Sequence, residues 1–166
     1  DSDPEIFTID PAKIEEKITK KTKAIMAVHI YGHPCDMDPI LEIAKKHNLL
    51  VIEDAAEAHG AQYKGKKCGS FGDISIFSFY ANKIISTGEG GMVLTNNQEY
   101  AERSKFLRNL GFDEKKRFYH TELARNYRMT NLQAALGVAQ LKNIEKLTYM
   151  SNSRENTNYN FKSIKK

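Results

Sequence analysis

The sequence predicts an α/β fold, layered as helix, sheet and helix around a mixed but mostly parallel sheet. Three observations carry that prediction. Apolar runs of strand length recur at 24–29, 49–53, 74–79 and 92–95. A helix-length amphipathic stretch separates the first two, so strand, helix and strand follow in the order of a crossover between parallel neighbours. The 166 residues, 40% hydrophobic and 28% charged, suffice for one domain with a buried core.

The elements follow in order. Asp10-Pro11 reads as a helix start, Asp capping the free amides and Pro fitting the first turn, with Ile14 and Ile18 facing inward. Residues 24–29 form a short buried strand, and Tyr31-Gly32-His33-Pro34 turns the chain. Asp38-Pro39 repeats the helix-start device, and Ile40, Leu41, Ile43 and Ala44 give that helix its apolar face. After the strand at 49–53, residues 63–69 are polar and turn-rich. The strands at 74–79 and 92–95 lead to an amphipathic helix over 99–109 and a charged loop over 112–120. A long helix is expected over 130–147, with Leu132, Ala135, Leu136, Ala139 and Leu141 inward. Residues 148–166 turn polar and, by composition alone, resemble a frayed tail.

Composition excludes several classes. A formal charge of +4 without a dense Lys/Arg block gives no support to nucleic-acid binding. The two cysteines, Cys35 and Cys68, lack metal-ligand or redox spacing and suggest a reducing compartment. No apolar run approaches membrane-spanning length, and the start at Asp1 is unlike a signal peptide, so the cytoplasm is the expected location. The five histidines are scattered, with no metal expected.

Chemistry concentrates in two places. Lys83 directly follows the strand-like run at 74–79 and precedes the glycine turn Thr87-Gly88-Glu89-Gly90-Gly91. Ligands in α/β proteins sit at strand ends, so this lysine is expected at a pocket rim. Partial desolvation would disfavour its ammonium form and free the amine to make a Schiff base with a carbonyl. The alternative is an ordinary solvated lysine. Asp54 ends the run Leu49-Leu50-Val51-Ile52-Glu53, 29 residues before Lys83. A lysine to carry an aldehyde and a carboxylate to hold a ring nitrogen protonated are the two groups pyridoxal phosphate needs. Alone, such an acid is as often a helix cap or an ion-pair member.

The motifs Val51-Ile52-Glu53-Asp54-Ala55-Ala56-Glu57-Ala58-His59-Gly60, Gly69-Ser70-Phe71-Gly72-Asp73, Phe77 to Lys83 and Gly88-Glu89-Gly90-Gly91 resemble the DegT/DnrJ/StrS sugar aminotransferases. Asn126-Tyr127-Arg128-Met129-Thr130 to Ala135, with Gln140-Leu141, resembles a further motif of that family. The resemblance covers nearly the whole chain. It implies a fold-type I, aspartate aminotransferase-like large domain and pyridoxal 5'-phosphate as cofactor. It also implies amino transfer from glutamate to the keto carbon of a nucleotide-linked 6-deoxy-keto-sugar. The wording is nearest the branch that aminates C4 in perosamine synthesis. Family members are about twice as long, so the chain is expected to be cut at both ends. Residues 1–147 would be part of the cofactor-binding large domain, and 148–166 the start of a helix leading to an absent small domain. A glycine-rich phosphate-binding helix start and a ring-stacking aromatic are expected in the absent N-terminal part.

Carried over residue by residue, the resemblance makes Lys83 the cofactor lysine and the group that moves the proton. Asp54 becomes the ring-nitrogen partner. Glu57, where the family has Gln or Glu, would lie near the phenolic oxygen and must then be protonated or paired. Ser78 matches a serine that bonds the cofactor phosphate; a hydroxyl satisfied by backbone is its ordinary alternative. Asn126 matches an asparagine that reaches the partner subunit's phosphate in a homodimer, although Ala124-Arg125 depart from the usual Gly and aromatic. His59, Tyr80 and Arg128 receive no role. Gly88, Gly90 and Gly91 read as structural, with Glu89 pinning the turn. A pyridoxamine-phosphate sugar dehydratase would replace the lysine with histidine, so Lys83 opposes it. An inactive remnant and a basic nucleic-acid module are the remaining alternatives.

Overall fold

The first strand, β1 (Ala24–Val28), ends in the buried His29, and α1 (Met37–Lys46) then carries the chain back to β2 (Leu50–Asp54). This computed structural model describes residues 1–113, 115–116 and 118–158, with side chains described through Ser151. β1 and β2 pair in parallel, Ala24 opposite Leu50 and Val28 opposite Asp54. α1 contributes Met37, Ile40 and Ala44 to a core shared with Ile14, Ile25, Ala27, Cys35 and Val51. Burial of each large aliphatic side chain in such a core stabilises the domain by about 1.5–3 kcal/mol.

A short antiparallel hairpin follows, β3 (Gln62–Tyr63) with β4 (Lys66–Lys67), turning through Lys64 and Gly65 at positive φ. β5 (Ile74–Ser78) then extends the parallel order beside β2, and β6 (Gly91–Leu94) closes it antiparallel. The sheet order is β1-β2-β5-β6. Side chains alternate across it. Ile25, Ala27, Val51, Glu53 and Ser75 are buried, whereas Met26, Val28, Ile76 and Val93 are exposed. By the same alternation Asp54 and Ser78 belong to the open face, at the C-terminal edge of the parallel strands.

Three expectations need correction. Asp10 does cap through its side chain, accepting from Ala12 N at 3.0 Å, but two single turns of 3-10 helix follow instead of one α-helix. Ile14 is nevertheless buried and Ile18 packs beside it. The second helix begins at Met37, with Asp36 in the cap position and Pro39 still within the first turn, where its missing N–H costs nothing. Asp36 caps with no side-chain bond, because its carboxylate accepts from the Tyr63 hydroxyl of the hairpin instead.

The third correction concerns residues 130–147. They are two helices, α3 (Asn131–Leu141) and α4 (Ile144–Asn158), following α2 (Gln98–Arg108). At the break, Asn143 donates from its side chain to Ala139 O at 3.1 Å and from its backbone to Gln140 O at 2.9 Å, a local competitor to regular helix. The expected inward face of α3 is also reversed. Leu132 is 82% exposed, and Leu136 and Leu141 are exposed too. The helix docks by Gln133 and Gln140, which donate to Glu89 O and Ser86 O, while Gly137 lies against Thr87. Residues 148–158, read by composition as frayed, are helical, and 159–166 lie outside the described residues.

Candidate active site

Lys83 sits five residues beyond β5, in a turn closed by its own N–H to Tyr80 O at 3.0 Å. Its side chain is 16% exposed, and its Nζ lies 3.3 Å from Glu57 Oε1. The side chain is enclosed, and a carboxylate faces the amine. Glu57 is 37% exposed and is held at its other oxygen, where Tyr31 N donates to Oε2 at 2.8 Å. Glu57 is thus paired on both oxygens, with the Lys83 ammonium on one side and the Tyr31 amide on the other.

Asp54 ends β2 and uses one oxygen locally, Oδ1 accepting from Ala56 N at 3.1 Å. No described hydrogen bond uses Oδ2. One oxygen therefore caps the following turn, and the other is left available to a ligand. Ser78 is similar. Its Oγ accepts from Tyr80 N at 3.2 Å, which leaves the hydroxyl proton available for donation.

His59 is one of the three residues that the sequence reading left without a role. It is 5% exposed, with Phe77 and Phe79 rings at 5.2 and 6.0 Å, and neither ring nitrogen has a hydrogen-bond partner among the described residues. Burial and then the nearby Lys83 charge push its pKa down, while the Ser78 backbone acts the other way from beyond hydrogen-bond geometry. A neutral imidazole therefore lies beside Lys83. Its proximity to Asp54 and Glu57 in the sequence was the available signal.

Asn126 is not drawn into this group. It is exposed and bridged to Asn109 at the end of α2, with no described contact to Lys83, Asp54, Glu57 or Ser78. The glycine turn behaves as expected. Gly88 and Gly90 take φ of 80° and 143°, and a side chain on Gly91 would meet Phe77 O at 2.9 Å. Glu89 pins the turn through its backbone carbonyl, which accepts from Thr87 Oγ1 at 2.7 Å and from Gln133.

The acid that organises the neighbourhood is Glu53, which the sequence reading passed over as the first of two. It is fully buried. Gly69 N, Phe71 N and Gly72 N donate to it at 2.7, 2.6 and 2.7 Å, Ser75 Oγ at 3.3 Å, and His29 Nε2 lies 3.0 Å away. Burial alone would push this carboxyl up, but bonds from His29, Gly72, Gly69 and Phe71 outweigh it and leave the pKa at about 2. The signal was alternation: Glu53 shares the core face with Val51.

An enclosed lysine, a strand-end carboxylate with a free oxygen and a hydroxyl with a free proton suit an aldehyde-bearing, phosphorylated heteroaromatic ring. Among known proteins, the chain is 58% identical over 145 residues to a GDP-perosamine synthase of Caulobacter vibrioides, covering 87% of this chain and 39% of that protein. A GDP-perosamine synthase of Escherichia coli O157:H7 is 52% identical over 155 residues, 93% of this chain and 42% of that one. The chain thus spans about two fifths of these relatives' length. The crystal structure of an aminotransferase from Psychrobacter cryohalolentis superposes with a TM-score of 0.79 at 44% identity, over 86% of this chain and 39% of that one. The fold is accordingly the expected fold-type I α/β class. A family model matches from residue 1 to residue 162, and on that match the chain belongs to the DegT/DnrJ/EryC1/StrS aminotransferase family.

Proposed function

We infer that the full-length protein is a pyridoxal-phosphate aminotransferase. It moves an amino group from glutamate to the keto carbon, C4, of a nucleotide-linked 6-deoxy-keto-sugar. The observation that carries this is the Lys83–Glu57 contact of 3.3 Å at the C-terminal edge of β5. It is supported by the 58% identity to a GDP-perosamine synthase. Pyridoxal phosphate, when bound, supplies an electron sink for charge developing at a neighbouring carbon. Lys83 Nζ would tether the aldehyde, and then take and return the proton at the reacting carbons. Asp54 Oδ2 would hold the ring nitrogen's proton, and the Ser78 hydroxyl would donate to the phosphate. Glu57, fixed by the Tyr31 amide, would remain beside the phenolic oxygen.

The test is borohydride reduction of the full-length, cofactor-loaded protein followed by peptide mapping. The pyridoxyl label is expected on Lys83, and a label on any other lysine overturns the assignment. Lys83→Ala should lower turnover at least about 100-fold while leaving the fold intact.

The reading includes a cytoplasmic homodimer in which Asn126 reaches the other subunit's phosphate. Its exposure and its separation from the Lys83 group support a role outside its own site. Inactive Lys83→Ala and Asn126→Ala proteins, mixed and allowed to exchange subunits, should recover about a quarter of wild-type activity. Half the dimers are mixed, and each mixed dimer has one intact site of two. No recovery after verified exchange removes Asn126 from the partner's site.

A further inference from the structure

The Glu57 carboxylate is held from behind by a turn in an unusual conformation. Tyr31, which donates its amide to Glu57 Oε2 at 2.8 Å, has φ 52°, the left-handed region that tyrosine rarely adopts. Gly32 follows at φ 79°, and a side chain there would meet the Glu57 carbonyl oxygen at 3.0 Å. A strained turn persists only where its surroundings over-determine it. The surroundings here are His29 and, behind it, Glu53.

His29 is fully enclosed and bonded at four atoms. Its backbone N donates to Asp54 O at 3.0 Å, Cys35 N donates to its Nδ1 at 3.1 Å, and its Nε2 lies 3.0 Å from Glu53 Oε1. The hydrogens follow from this. Nδ1 accepts from Cys35, so the ring proton sits on Nε2 and points at Glu53. The contact is a hydrogen bond from a neutral ring rather than an ion pair. Its carbonyl then accepts from Gly32 N at 3.1 Å and closes the turn.

We propose that Glu53 and His29 are positioning residues for the active site. Glu53 fixes His29, His29 fixes the Tyr31–Gly32 turn, and the turn's amide aims Glu57 at Lys83. This rests on the reading of Lys83 as the cofactor lysine, and it adds two residues that touch neither lysine nor cofactor. The charged group facing Glu57 among the described ion pairs is Lys83, with neutral His59 beside that lysine. The thiols around Glu53, Cys35 and Cys68, are pushed up to about 11 by burial and stay protonated.

The experiment compares four variants of the full-length, cofactor-loaded protein by the pH midpoint of the bound cofactor's visible absorbance. His29→Asn keeps an acceptor for Cys35 but is too short to reach Glu53, whereas His29→Gln keeps a donor for Glu53. His29→Asn is expected to shift the midpoint in the same direction as Glu57→Gln, and His29→Gln to restore it. The double variant His29→Asn/Glu57→Gln should match Glu57→Gln alone, because both act through one carboxylate. Additive shifts, or no shift in a folded His29→Asn protein, overturn the proposal. Hydrogen exchange at the Tyr31 amide provides a measurement free of core damage. It should quicken at least about 10-fold in Glu57→Ala, as expected for a lost hydrogen bond, and an unchanged rate also overturns the proposal. Failure to label Lys83 with borohydride would instead sink the underlying reading, so the two failures are separable.

Discussion

Helices α1 and α3 are nearly equal in length, ten and eleven residues, and the two behave differently. α1 carries charge on one side and buries Met37, Ile40 and Ala44 against the sheet. α3 is apolar nearly all round, yet none of its residues is buried. Its contacts to the 86–90 loop are made by two glutamines and a glycine. Apolar content signals that a surface is covered somewhere, but amphipathic contrast is needed to say which side faces the chain's own core. Among the described residues, every buried hydrophobic one lies in the stretch from Ile14 to Ile85. The parallel half therefore builds a core on one face of its sheet, and the described part of the α2–α4 half builds none.

The largest effect that bears on this contrast is expected at Glu53. Replacing it with alanine leaves buried donors without a partner and should cost about 3–5 kcal/mol, read by urea unfolding. The pH dependence has a definite sign. The folded carboxyl is depressed from 4.5 to about 2, so its contribution is full above pH 4.5 and is lost as pH falls towards 2. Wild type should lose about 3 kcal/mol across that window, and Glu53→Gln should lack that slope. A flat wild-type profile there would mean that Glu53 is not the anchor of the parallel half.

Next is the helix pair itself. Ile40→Ala in α1 should destabilise this chain by about 2–5 kcal/mol, and Leu132→Ala in α3 by no more than about 0.5 kcal/mol. Equal losses in thermal or chemical unfolding would erase the distinction. The third prediction concerns the polar docking of α3. Gln140→Ala removes contacts to both Ser86 N and Ser86 O, at 2.9 and 2.6 Å, and should cost about 1–2 kcal/mol. If Leu132→Ala proved the more costly, the orientation of α3 would be wrong.

Much of the fold was legible in the sequence because its signals are local. The strands at 24–28, 50–54 and 74–78 announce themselves by β-branched and apolar runs, and α1 by a one-sided apolar stripe. Helix starts were less legible. Asp10-Pro11 and Asp38-Pro39 look alike, but the first opens only 3-10 turns and the second lies inside a helix already begun. Asp36 was drawn off by Tyr63, 27 residues away, which no local rule detects. Within the candidate site, Lys83 and Glu57 come from separate motifs and lie 3.3 Å apart, a contact that neither motif specified. Alternation with Val51 put Glu53 on the core face, but the partners that make a buried acid and His29 tenable there appear only once the strands are paired.

What the sequence determined by itself is the order of the main strands and helices and the types of residue at strand ends. These follow from period and propensity, which act over a few residues. The tertiary structure alone decided which polar groups meet. It turned α3 by its glutamines, gave Glu57 two partners, and placed Glu53 where donors from Gly69 to Ser75 converge. The physical reason is that a buried polar atom must be satisfied by whatever donor or acceptor the folded chain brings within about 3 Å, however distant in sequence.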